Sequence, residues 1–124
     1  MRALAVILAL VALAGCATLR PGVATDLPFP SVASVSGFTF QPAECTSGDT
    51  VAAGQQGQYV VLLSVEGKHL VRFMVVDFTA ARVWLGTVLN DDRFQVTETL
   101  SLPETIAKYP DACDFLVVHK GQPV

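Results

Sequence analysis

A chain of 124 residues with eleven acidic and eight basic side chains has a formal net charge of −3, and its length suits one domain. Lys and Arg form no cluster anywhere in it. This excludes the basic footprint of a nucleic-acid binder and polybasic attraction to anionic lipid surfaces.

The first element is an apolar run. Ala3 to Ala14 follows Met1-Arg2 without a polar interruption, twelve residues in all. That matches a secretory h-region of about 7–15 residues and falls short of the roughly 20 that span a bilayer as a helix. The run ends in Leu13-Ala14-Gly15-Cys16. These four residues resemble the lipobox of bacterial lipoproteins. The resemblance implies cleavage before Cys16, a diacylglyceryl thioether on its sulfur and an acyl group on its new amino terminus. Buried methylenes are worth about 0.8 kcal/mol each and one chain holds only marginally, so an anchor of this kind needs more than one. Lipidated, Cys16 is lost to disulfide chemistry. Ala17 follows it where an aspartate would favour inner-membrane retention in enterobacterial lipoproteins, so the resemblance points to the outer membrane, facing the periplasm. Loss of residues 1–15 removes Arg2 and takes the formal net charge to −4.

Residues 16–35 read as the lipidated cysteine and a flexible tether. Pro21, Gly22, Pro28 and Pro30 interrupt the segment, and proline fixes φ and removes a donor, which disfavours helix and central strand alike. A flexible chain of this length reaches on the order of 25 Å. The competing reading has Phe29 or Val35 docked on the domain as a first strand.

A single β-rich domain is expected over residues 36–124. Gly37 to Gln41 alternates before Pro42 stops it. Gln58 to Val65 and His69 to Phe78 flank the hairpin turn Glu66-Gly67-Lys68, and Arg82 to Leu89 and Arg93 to Leu100 flank Asn90-Asp91-Asp92. Thr79-Ala80-Ala81 is a poor turn sequence between them. Ser101-Leu102-Pro103-Glu104 has the spacing of a capping box and starts a helix over about 102–108 that stops before Pro110. Phe115 to His119 reads as a last strand. The expected fold is mainly β, an antiparallel meander, curved or closed into a small barrel, with one short helix.

Pairing across Gly67 places Tyr59, Val61, Leu63, Leu70, Met74 and Val76 on one face and Val60, Leu62, Val71, Phe73 and Val75 on the other. Both faces are apolar in the middle, so something must cover two sides. Three covers are open: the sheet curled on itself, a partner protein, or an apolar ligand. The meander and capped helix over about 58–109 resemble the lipoprotein carrier and outer-membrane receptor group, which implies a groove for an acyl chain. Arg72 falls on an apolar face in this register. It must reach the rim, meet an acid such as Glu98 or Asp114, or face the anionic head group of a ligand.

Cys45 and Cys113 lie in loop-like settings of an exported domain. They are expected to bond to each other, and closing about 68 residues would stabilise the fold by roughly 4 kcal/mol. Glu44 and Asp114 beside them oppose a reactive thiolate. His69 and His119 could join the two cysteines around zinc, but no two of the four have a chelating spacing, and no metal is expected. Ser47-Gly48-Asp49 reads as a turn and Asp91-Asp92 as a solvated hairpin tip. No catalytic signature is legible, so a non-enzyme is expected. Besides the lipids on Cys16 no cofactor is expected. The function read from the chain is a membrane-anchored envelope lipoprotein with a structural or protein-interaction role. The alternative is a binder or carrier of an apolar ligand such as a lipid acyl chain.

Overall fold

The structure, a computed structural model, describes residues 26–111 and 113–117. Six strands form one antiparallel sheet in chain order: β1 Thr39–Glu44, β2 Thr50–Gln56, β3 Tyr59–Glu66, β4 His69–Asp77, β5 Arg82–Val88 and β6 Phe94–Ser101. The helix α1, Leu102–Lys108, and a single helical turn α2, Cys113–Leu116, follow it. The meander is open, with β1 and β6 as its edges, and no helix among the described residues is long and apolar enough to cross a membrane.

Two differences from the expected strands concern weak signals. β1 continues through Pro42, because an edge strand spares the missing N–H, and β2 was not anticipated since Ala52-Ala53-Gly54-Gln55-Gln56 lacks β-branched residues. The turns follow the chemistry of their residues. Gly67 and Asp92 take positive φ of 64° and 67°. Between β4 and β5 the poor turn sequence is compensated by Asp77, whose Oδ1 accepts from the amides of Thr79 and Ala80 at 3.0 and 3.1 Å and from Gln58 Nε2 at 2.9 Å. These bonds, the Ala80 amide foremost, hold the Asp77 carboxyl below the usual aspartate range.

The β3–β4 register departs from simple alternation. Glu66 pairs with His69 and Val65 with Leu70, as the turn dictates, but the next pair is Ser64 with Arg72. Val71 is the extra residue of a β-bulge. A one-residue slip moves every later side chain of β4 to the opposite face. Val61 and Leu63 therefore share their face with Phe73 and Val75, and Leu62 shares its face with Met74 and Val76.

Both apolar faces are covered by the chain itself. On one, the helix face, α1, α2 and Tyr109 lie over Val51, Leu62, Met74, Val76, Val83 and Leu85. On the other, the belt face, Leu27, Phe29, Val32, Val35 and Phe38 pack on Val61, Leu63, Phe73, Val75 and Trp84. Phe29 meets Phe38 and Tyr59 edge-on at centroid distances of 5.2 and 5.0 Å. Ser31 bridges to Arg93, and Phe94 donates its amide to Pro30 O at 2.8 Å. The tether expected as far as residue 35 is thus part of the packed domain from Asp26 on. It docks as an irregular belt with a 3₁₀ turn, Ala33–Val35, rather than as a full strand. Its apolar residues outweigh its prolines because the sheet offers an otherwise bare face.

The expected strand at Phe115 is also corrected. Cys113–Leu116 is helical, since Asp111 Oδ1 accepts from the Cys113 amide at 2.9 Å while Asp114 Oδ2 accepts from the Asp111 amide at 3.1 Å. This reciprocal acid pair caps the turn as a capping box does. Val118 and His119, the rest of that segment, lie outside the described residues.

A second bulge fixes the far edge. Leu85 pairs with Glu98 and Gly86 with Val96, leaving Thr97 as the extra residue with its hydroxyl on Leu85 O at 3.3 Å. Beside it the Phe73 and Phe94 rings, from the two strands flanking β5, stack at 4.4 Å over Gly86. A Cβ on Gly86 would stand 1.9 Å from Gln95 O and 2.9 Å from the Phe73 ring. Gly86→Ala should therefore cost about 3 kcal/mol or more, because the obstacle is backbone and cannot rotate away. Urea denaturation checks this, and a loss under about 1 kcal/mol would show that the strand has room to move.

The carboxylates give the stability its acid dependence. Glu98, on the helix face, accepts from Lys108 Nζ and from Tyr109 Oη at 2.6 Å. Burial works to raise its carboxyl, yet the bonds from Lys108 and Tyr109 outweigh this and hold it below the usual glutamate range. Burial and the bond to Glu98 push the Tyr109 hydroxyl up. A depressed carboxylate adds stability above its unfolded value, about 4.3 for Glu, and loses it as pH falls through the lower folded value. Glu98→Gln should weaken the fold by about 1 kcal/mol at pH 7 and flatten its decline below about pH 4. Urea midpoints from pH 7 to pH 3 measure it. Parallel curves for the two proteins would remove Glu98 from the acid response.

Candidate functional surfaces

Of the residues singled out in the sequence, Cys16 and His119 lie outside the described residues. The structure brings Cys45 and Cys113 together. Their Cα atoms are 5.8 Å apart across a sequence separation of 68, with the sulfurs placed as a disulfide. Cys45 leaves β1 beside the loop in which Ser47 Oγ donates to Asp49 Oδ2 at 2.8 Å, so Ser47-Gly48-Asp49 is the turn expected. Thr46 donates its amide to Asp111 Oδ2 at 3.1 Å, next to the bridge. A four-residue helix cannot persist alone in water, so the bridge and this bond hold α2 on the sheet. His69 stands exposed on the hairpin, and among the described residues no cluster of His, Cys, Asp or Glu could hold a metal ion.

Arg72 does share its face with Met74 and Val76, but it sits opposite Ser64 instead of on the Val61 face. Ser64 Oγ accepts from the Arg72 amide at 3.1 Å, and the guanidinium lies 5.1 Å from the Phe115 ring centroid. Neither acid named for it is its partner. Glu98 is held by Lys108 and Tyr109, and Asp114 caps α2. The charge is met by an aromatic face, an interaction worth about 0.5–2 kcal/mol.

Sequence reasoning missed a third constellation. Asp26, the first described residue, forms an ion pair with Arg82 and accepts from Trp84 Nε1 at 3.2 Å. This fastens the start of the belt to β5. Its components are 56 to 58 residues apart in the chain, which leaves no local signal in the sequence.

The strand ends sort the exposed charges. One end of the sheet holds Thr39, Gln56, Tyr59, Asp77, Arg82 and Ser101. Its acids are all engaged close by, Asp26 with Arg82, Asp77 with its turn amides, and Glu104 with the amide of Ser101 in the expected capping box. The exposed tip Phe78-Thr79-Ala80-Ala81 carries no charge. The opposite end bears Glu44, Asp49, Glu66, Asp91, Asp92, Asp111 and Asp114 with Lys68 and Arg93 as counterweights.

One hollow on the described surface lies beside α2 and another over β1 and β2. A cleft of about 110 Å³ between α2 and the β3–β4 hairpin is lined by Ser64, Val65, Val71, Leu116 and Val117. Ligand sites usually enclose about 300–1,000 Å³. A broader depression of about 370 Å³ over Thr39, Gln41, Ala53, Gln55 and Val60 is open to solvent. Comparison with family models, curated proteins and solved structures found no match.

The Cys45–Cys113 clasp makes a measurable claim. Denatured, unreduced protein should yield no free thiol from Cys45 or Cys113. The Cys45→Ser, Cys113→Ser double variant should lose roughly 4 kcal/mol of stability. Recovery of both thiols would remove the clasp.

Proposed function

We propose that this chain is a lipid-anchored lipoprotein of the bacterial cell envelope, held through Cys16 and facing the periplasm from the outer membrane, with a structural or protein-interaction role and no catalytic activity. The observation that carries this reading is Leu13-Ala14-Gly15-Cys16 directly behind a twelve-residue apolar run. A cysteine pair at bonding geometry in a small domain suits an oxidising compartment and supports it.

The interaction role is favoured over the carriage of an apolar ligand because of what covers the sheet. A carrier was suggested by two apolar faces without an evident cover. The belt and the two helical segments cover those faces from the chain itself, which favours the interaction role. What the domain offers to partners is its outer surface.

Mass spectrometry of the mature amino terminus tests the anchor directly, with a chain that begins at a lipid-modified Cys16 as the expected result. Cys16→Ser should release the protein from the membrane fraction or leave its precursor uncleaved. An unmodified Cys16, or a mature chain starting elsewhere, overturns the reading.

A further inference from the structure

We infer that the end of the sheet whose turns carry no charged residue, with Phe78 at its tip, is a bilayer-contacting surface that seats the domain on the membrane with its acidic end pointing away. The inference rests on the lipid-anchored reading and adds an orientation to it.

The first support is the length of the leash. Because the belt is packed from Asp26, only ten peptide steps separate it from Cys16, which reach at most about 35 Å when extended. A domain of this size has a radius of gyration of about 12 Å and is about 30 Å across, so turning it over would require nearly the full contour of that segment. The surface nearest the attachment point is therefore the one most often at the bilayer. Asp26 marks that surface, since it is fixed to Arg82 and Trp84 at the β4–β5 end of the sheet.

The second support is the composition of this end. Phe78 is 53 % exposed, although the Phe78 amide is bonded to Gln58 O at 2.9 Å and the turn behind it is held by Asp77. The aromatic ring is thus presented on a fixed support. Phe78-Thr79-Ala80-Ala81 and the neighbouring Gln56-Gly57-Gln58 turn bring no charge to the surface, so pressing them against the head-group region desolvates no unpaired ion. The opposite hairpins differ. Val65 is as exposed as Phe78, but the hairpin turn that follows it carries Glu66, Lys68 and His69. Seven carboxylates at that end against Lys68 and Arg93 are repelled by anionic lipid, whose surface potential acts within a Debye length. Tether, apolar tip and charge asymmetry agree on one orientation.

The test uses the full lipidated chain purified from membranes and reconstituted into phosphatidylethanolamine–phosphatidylglycerol vesicles containing phosphatidylcholine brominated near the head-group end of its acyl chains. Phe78→Trp places an indole at the tip, Lys68→Trp places one on the opposite hairpin, and the unaltered protein gives the baseline from Trp84, its only tryptophan. The expected result is a loss of emission with Phe78→Trp beyond the baseline and none beyond it with Lys68→Trp. Equal quenching of the two variants, quenching of Lys68→Trp alone, or no quenching above baseline in either overturns the orientation while leaving the anchor intact, provided the protein floats with the vesicles. A chain that does not float with them lacks the anchor, and both readings fall together. Circular dichroism of each variant, matched to the parent, ensures that a changed signal reports position and not unfolding.

Discussion

A sheet that is apolar on both faces needs a cover on each, and the rest of this structure follows from meeting that constraint with little chain. The six strands are joined by short turns and leave almost nothing between them to act as cover. The material comes from the two flanks, residues 27–38 on one face and the segment after β6 on the other. Each flank needs a fastening. The Asp26 contacts with Arg82 and Trp84 secure one, and the Cys45–Cys113 pair with the Glu98, Lys108 and Tyr109 contacts secures the other. Without these fastenings the covers would be short, irregular segments whose ordering entropy their own packing would have to offset.

Legibility from the sequence tracked how local each cause was. The hairpins at Gly67 and Asn90-Asp91-Asp92, the capping box at Ser101 and the cysteine pair were readable because turn residues, cap spacing and compartment speak within a few residues. The bulge at Val71 was not, since nothing in Ser64-Val65 or Leu70-Val71 marks which residue the ladder will leave out. That single omission exchanged the partners of Phe73, Met74, Val75 and Val76. The belt was misjudged for a different reason. Its prolines correctly excluded helix and central strand, but irregular chain can still bury Leu27, Phe29 and Val35 when a bare face lies beside it. At Phe115, the spacing Asp111-x-x-Asp114 was a usable helix signal that the apolar run after it outweighed.

The acidic character of the chain also finds an explanation in these local structures. Asp77, Asp111, Asp114 and Glu104 all accept backbone amides at a turn or helix start. Carboxylates in such positions do structural work on the chain beside them and need no substrate or metal to account for them. Arg72 belongs with them. Its charge reads as an anomaly on an apolar face until the Phe115 ring is seen above it.

The clasp between Cys45 and Cys113 bears on how such a chain matures. Three cysteines admit three pairings, and the earliest, Cys16, lies closer in sequence to Cys45 than Cys113 does. Local loop closure would favour the wrong partner, because a loop of 29 residues closes at lower entropic cost than one of 68. A thioether on Cys16 would withdraw that competitor and leave a single connectivity open. In that case lipid attachment acts as an editor of oxidative folding as well as an anchor, and the order of the two modifications decides whether α2 is covalently fastened to the sheet.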